Sequence, residues 1–244
     1  MKPFLLLATR PEDVAADGEY EAMCRFGGLA PDHLHRVRLE ADPMPRVDLD
    51  AYSGVIVGGG PFNSSDPDDV KSDVQHRVER EMAGLLDEVV DRDFPFLGAC
   101  YGVGTLGTYI GGVVDRHYGE DVGVVTVELT QEGADDPLLA GVPSAFAAFV
   151  GHKEAIRELP PHAVRLAFSP WSPVQMFKVR ENVYATQFHP ELDLAGLTER
   201  VRVYRHHGYF DPEEAGAVVA RASARPVTEP MRVLRNFVAR YARA

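Results

Sequence analysis

The sequence predicts an α/β fold in three layers: a mostly parallel central sheet, helices on both faces, and a small antiparallel extension. Three observations predict it. Short apolar runs alternate with segments of helical period over the first half of the chain. Glycine-rich loops close those runs. Between Val113 and Gln187 the texture changes to consecutive strands, after which helices return.

The elements follow in order. Phe4 to Ala8 is an apolar run too short for an export signal and reads as a buried first strand. Gly18 to Gly28 reads as a helix, with Tyr20, Met23 and Phe26 able to share a face. His35 to Leu39 is a second strand, and Gly54 to Val57 a third that stops in Gly58-Gly59-Gly60-Pro61. The acidic, Ser-rich stretch from Asn63 to Asp73 has no apolar period and reads as a loop. Val74, Val78, Met82, Leu85 and Val89 then recur at helical spacing and predict a helix over about 71–90. Pro95 to Ala99 is the next strand, followed by a Gly-rich helix ending near Gly111-Gly112. Strands are expected at 122–129, 145–150, 163–168, 174–179 and 182–187, and helices at about 194–207, 212–222 and 228–242. Without internal repeats or a low-complexity linker, residues 1–244 read as one domain with a helical C-terminal extension at about 194–244.

Charge and cysteine content bound the partners. With 25 Lys and Arg against 37 Asp and Glu, the formal charge of −12 argues against a nucleic-acid backbone as the main partner. No stretch is long and apolar enough to cross a bilayer. Two cysteines, Cys24 and Cys100, make no disulfide framework, and a cytoplasmic location is expected.

The most informative segment is Phe96-Leu97-Gly98-Ala99-Cys100-Tyr101-Gly102-Val103-Gly104. An apolar strand delivers a nucleophile into a sharp turn, with glycines two before and two after it, as in the G-x-nucleophile-x-G elbow. Close self-approach of the chain is expected to exclude side chains at Gly98 and Gly102. The helix starting just beyond aims its free N–H groups at the sulfur, which favours thiolate over thiol. Cys24, in a helical pattern without glycines, reads as structural.

A catalytic cysteine needs an imidazole base, and the imidazole needs an acceptor to fix its tautomer. Of nine histidines, His189 has the best context: it follows the strand Val183 to Phe188 and precedes Pro190-Glu191. Residues just past the carboxyl ends of parallel strands gather at one sheet edge. Cys100 and His189 are therefore expected together, with Glu191 holding the ring. Gly60, in the loop after the third strand, and Tyr101, after the nucleophile, are the expected oxyanion donors. The same glycines do not read as a phosphate loop, because neither G-x-G-x-x-G nor a Lys-Ser/Thr pair is present. The adjacent His206-His207 diverge on a helix, and no metal or other cofactor is expected.

With those residues in view, the sequence resembles the class I glutamine amidotransferases, the triad glutaminase domain of GMP synthase and related enzymes. The resemblance runs from about Val47 to Leu192, anchored on Gly58-Gly59-Gly60-Pro61, Gly98-Ala99-Cys100-Tyr101-Gly102 and Gln187-Phe188-His189-Pro190-Glu191. It implies a flavodoxin-like amidotransferase fold, with Cys100 as nucleophile, His189 as base and Glu191 as its orienter. It also implies that Gly59, Gly104, His152 and Gln175 lie on the substrate side. One departure stands out: the family carries glutamine four residues after the cysteine, where this chain has Gly104, and in the family that glutamine holds the substrate's amino-acid end.

The resemblance implies hydrolysis of glutamine to glutamate and ammonia through a Cys100 thioester, with the ammonia passed to a separate synthetase partner. The alternatives are a stand-alone γ-glutamyl amide or peptide hydrolase, and a non-catalytic binding protein on the same fold.

Overall fold

A computed structural model describes all 244 residues. The strands are β1 (Phe4–Ala8), β2 (Leu34–Arg38), β3 (Val55–Val57), β4 (Phe96–Ala99), β5 (Val113–Asp115), β6 (Glu120–Leu129), β7 (Ala145–His152), β8 (Ala155–Glu158), β9 (Ala163–Phe168), β10 (Met176–Val179) and β11 (Val183–Thr186). The helices are α1 (Asp13–Gly27), α2 (Asp73–Asp91), α3 (Tyr101–Tyr109), α4 (Gln131–Asp135), α5 (Leu194–Val203), α6 (Ala215–Ser223) and α7 (Pro230–Tyr241).

Nine strands form one mixed sheet in the order β2-β1-β3-β4-β11-β10-β9-β6-β7. The first five are parallel, and from β11 onward each pairing is antiparallel. β5 and β8 pair separately as a small antiparallel ribbon. The parallel strands are apolar without alternation: β1, β3, β4 and β11 are buried at every position, as strands covered on both faces must be.

Two apolar clusters sandwich the sheet. On one face Leu6, Ile56, Leu97 and Tyr184 pack with Met23 of α1 and with Val233, Leu234 and Phe237 of α7. On the other, Leu5, Leu7, Val55, Val57 and Phe96 meet Val78, Met82, Leu86 and Val89 of α2 and Val103 and Leu106 of α3. A third cluster seats Leu197, Val201, Val218 and Ala222 of α5 and α6 on Ala147 and Phe149 of β7. The C-terminal helices thus complete the layers. α2 opens with Ser72 capping the Gln75 N–H, and α1 closes with Gly28 in the left-handed region at φ 70°, its N–H bonded to the Cys24 carbonyl.

Candidate active site

The strand order β1-β3-β4-β11 brings four carboxyl-terminal loops side by side. They carry Arg10, the Gly58–Gly60 loop, Cys100 and His189. Thr186 pairs with Ala99, and the Cys100 N–H donates to the Thr186 carbonyl at 2.8 Å, which ties the cysteine turn to the segment leading to His189. Cys100 and His189 line one cavity of about 60 Å³, with Arg10, Gly60, Gly151, Arg200 and Tyr204 among its other walls. No hydrogen bond joins the Cys100 sulfur to His189 in the structure.

Cys100 has φ 52° and ψ −87°, a strained backbone for a residue with a side chain, costing about 1–3 kcal/mol. α3 begins at the next residue. A Cβ at Gly98 would lie 2.9 Å from the Gly102 Cα, so the turn requires glycine there. The expectation for Gly102 is corrected: a Cβ at that position meets only Val57, at 3.6 Å, an ordinary contact.

Glu191 is the neighbour of the imidazole. His189 Nδ1 lies 2.9 Å from Glu191 Oε1, and both residues are buried. Burial lowers the His189 pKa, helped by the Arg200 and Arg10 charges and opposed by Glu191. Burial works to raise that of Glu191, but His189 and Arg200 outweigh it and hold the carboxyl well below its usual range. At the sulfur, burial works against the helix N-terminus. Burial pushes the Cys100 thiol up to about 12, beyond what Arg10 and Arg200 recover, and the carboxylates of Glu154 and Glu191 add to the rise. Both shifts favour a thiol and a neutral imidazole, against the pull of the nearby positive charges on the half-buried sulfur.

The Gly60 N–H has no acceptor within the protein, as an oxyanion donor requires, and Tyr101 opens α3 directly after the nucleophile. Gly59 faces the site from the other side: its N–H donates to Glu19 Oε1 at 3.2 Å, and a Cβ there would lie 2.7 Å from His189 Cε1. A Cβ at Gly60 would overlap the Thr9 hydroxyl, so the loop lies directly against the end of β1.

Of the residues that the resemblance puts on the substrate side, Gly104, His152 and Gln175 do not line the cavity. His152 has both ring nitrogens engaged, Nδ1 2.8 Å from the Glu154 carbonyl and Nε2 2.9 Å from Glu120 Oε2. Gln175 donates to the same Glu120 carboxylate at 2.6 Å and to Ser169 Oγ at 3.2 Å. The two form a buried polar cluster around Glu120, and neither lines the cavity. At Gly104, the Glu154 carboxylate stands where a side chain would go: an added Cβ would overlap Oε1. That carboxylate is buried and accepts the Ser64 N–H at 2.9 Å and the Ser65 N–H at 2.7 Å.

Sequence reasoning missed Arg10, Glu19, Arg200 and Tyr204. For three of them the signal is a polar residue on an apolar helical stripe: Glu19 is four residues from Ala15 and Met23, while Arg200 and Tyr204 continue the stripe of Leu197 and Val201; Arg10, in the loop after β1, carries no such signal. No cluster of three or more His, Cys, Asp or Glu side chains is arranged to hold a metal ion, and no helix is long and apolar enough to cross a membrane.

The chain is 30% identical over 178 residues to a glutamine-hydrolyzing GMP synthase of Aeropyrum pernix, covering 68% of this chain and 32% of that protein. It is 30% identical over 157 residues to a glutamine-hydrolyzing GMP synthase subunit of Haloarcula marismortui, covering 64% of this chain and 72% of that one. The chain spans about a quarter to a third of the full-length synthases it matches. A glutamine amidotransferase from Thermotoga maritima shares the fold with a TM-score of 0.75 at 20% identity, over 99% of this chain and 98% of that one. The family model of glutamine amidotransferase class-I matches residues 33–200, and the chain belongs to that family.

Proposed function

We propose that residues 1–244 act as a single glutaminase unit that hydrolyses the side-chain amide of glutamine. The observation that carries this reading is the strained Cys100 turn sharing one cavity with His189, whose Nδ1 lies against the buried Glu191 carboxylate. In the proposed sequence, substrate binding brings His189 Nε2 within reach of the sulfur, as catalytic contacts often tighten only in the complex. The thiol proton passes to Nε2 while the sulfur attacks the amide carbon. The Gly60 and Tyr101 N–H groups receive the oxyanion. His189 returns the proton to the amide nitrogen as the C–N bond breaks, releasing ammonia and leaving a γ-glutamyl thioester. Water then gives a proton to the same imidazole and its oxygen to the acyl carbon. Glutamate departs, and the sulfur regains its proton.

Cys100→Ala is expected to abolish ammonia release while the folded state survives; turnover retained in that variant would overturn the assignment. Glu191 orients the base without reacting, so its loss is expected to reduce kcat less. The Haloarcula marismortui relative is named as one subunit of GMP synthase, and by analogy the ammonia of this chain goes to a separate synthetase.

A second reading, hydrolysis of substituted γ-glutamyl amides, draws on one observation: Glu154 fills the space of the family's glutamine at position 104. Ammonia release from glutamine, measured beside glutamate release from γ-glutamyl amines, separates the two.

A further inference from the structure

Beneath the proposed triad runs a chain of buried charges that amide hydrolysis by Cys100, His189 and Glu191 does not itself require. Arg10 donates from Nε to Glu19 Oε1 at 2.9 Å and from Nη1 to the Tyr204 hydroxyl at 3.1 Å. Glu19 Oε1 also accepts the Gly59 N–H at 3.2 Å and Arg200 Nη2 at 3.4 Å. The same Arg200 nitrogen donates to Glu191 Oε1 at 2.8 Å, the oxygen that faces His189 Nδ1. Glu19, Glu191 and Arg10 are 1%, 0% and 5% exposed, and the Arg200 side chain 11%, so the charges interact with little screening.

Arg200 Nη1 lies 3.1 Å from His189 Nδ1. A guanidinium cannot accept a hydrogen bond, so when Nδ1 carries its proton toward Glu191, Nη1 stands beside the ring as a fixed positive charge. That charge opposes the imidazolium, and by sharing Glu191 Oε1 it dilutes the carboxylate's pull on the ring. We propose that Arg200 is a positioning residue which keeps His189 neutral at rest and pins Glu191. Glu19 holds Arg200 and the Gly59 N–H together, and so ties the base to the loop bearing the Gly60 oxyanion donor.

The charged and titratable groups around His189 are few. Glu191 comes from its own loop, Arg200 and Tyr204 from α5 and its end, and Tyr209 from the following turn. Arg10 follows β1, Cys100 follows β4, and Glu19 of α1 acts through the two arginines. Burial depresses the His189 pKa, and both arginines act in the same direction.

The test is an NMR titration of the full chain with isotope-labelled histidine, His189 being assigned by its loss in His189→Gln. Arg200→Met is expected to raise the His189 midpoint by about one pH unit or more, the effect of removing a like charge at close range. Arg200→Lys, which keeps the charge, is expected to restore most of the wild-type value. Glu19→Gln removes the counter-charge and is expected to move the midpoint down. An unchanged midpoint in Arg200→Met, or shifts of the same sign in Arg200→Met and Glu19→Gln, would overturn the proposal. If Arg200→Met does not fold, the near-isosteric Glu19→Gln decides alone by the sign of its shift.

The kinetic arm rests on the glutaminase reading. In Arg200→Met the acid limb of kcat/KM is expected to follow the titration, with kcat reduced about 10- to 100-fold, the loss that a misplaced group brings, and KM little changed. Absence of turnover in the wild-type chain would count against the glutaminase reading and leave the titration to decide the role of Arg200.

Discussion

Gly104→Gln restores the side chain that the family carries four residues after its cysteine, into a place already taken. The new Cβ would overlap Glu154 Oε1 and lie 2.9 Å from Ser64 Oγ. Rotation of the Ser64 hydroxyl would relieve its own contact but not the overlap with Glu154 Oε1. Glu154 must therefore leave, giving up the N–H groups of Ser64 and Ser65. A hydrogen bond to a charged group contributes about 1.5–3 kcal/mol, so two lost bonds amount to about 3–6 kcal/mol. Replacing a helical glycine returns about 1 kcal/mol of propensity, leaving a net destabilisation of about 2–5 kcal/mol. Urea unfolding of Gly104→Gln, Glu154→Ala and the double variant measures this directly. In the Glu154→Ala background the added substitution is expected to cost under about 1 kcal/mol, because the donors are already free and space has opened. A single variant within about 1 kcal/mol of wild type, or equal costs in both backgrounds, would refute the steric account of why glycine stands here.

Two further outcomes follow from the same site. Gly98→Ala is expected to destabilise by about 1–3 kcal/mol or more, since its Cβ would press on the Gly102 backbone, while Gly102→Ala is expected to be near neutral; equal unfolding midpoints would contradict this. The depressed His189 pKa gives stability that is full above the unfolded histidine value of about 6.5 and declines as pH falls toward the folded value. Glu191, held low, adds a loss beginning near about pH 4.3 as the carboxylate must be protonated. A series of urea midpoints is expected to fall between about pH 7 and pH 5 in the wild type and to flatten in His189→Gln; an unchanged slope in that variant would assign the loss elsewhere.

The sheet strands and most helices were legible because their patterns are local. β1 and β9 fall on the residues their apolar runs predict. α1 starts at Asp13, five residues ahead of the expected start at Gly18, and Gly18 sits inside the helix where Glu199 of α5 comes close: a Cβ there would lie 2.8 Å from Oε2. The pair β5 and β8 escaped notice, being three and four residues long with no alternation to follow.

At the site, Cys100, His189, Gly60 and Tyr101 could be placed because a parallel sheet gathers strand ends regardless of distance along the chain. The protonation of the sulfur could not. A helix N-terminus is visible in sequence, but the burial that opposes it is not, and Tyr204, Tyr209 and Phe210 line the same cavity from beyond α5. The Arg10–Glu19–Arg200–Glu191 network was hidden for a similar reason. Glu191 is legible beside His189, but Arg10, Glu19 and Arg200 each read alone as a solvated surface charge, and only the packing of α1 against α5 makes them neighbours.

The reaction of Cys100 with an electrophilic glutamine analogue, followed by mass spectrometry of the intact and digested chain, tests the central claim most directly. Modification of Cys100 with Cys24 left free, suppressed by excess glutamine, is the predicted result. Labelling that spares Cys100, or that glutamine does not slow, would contradict it.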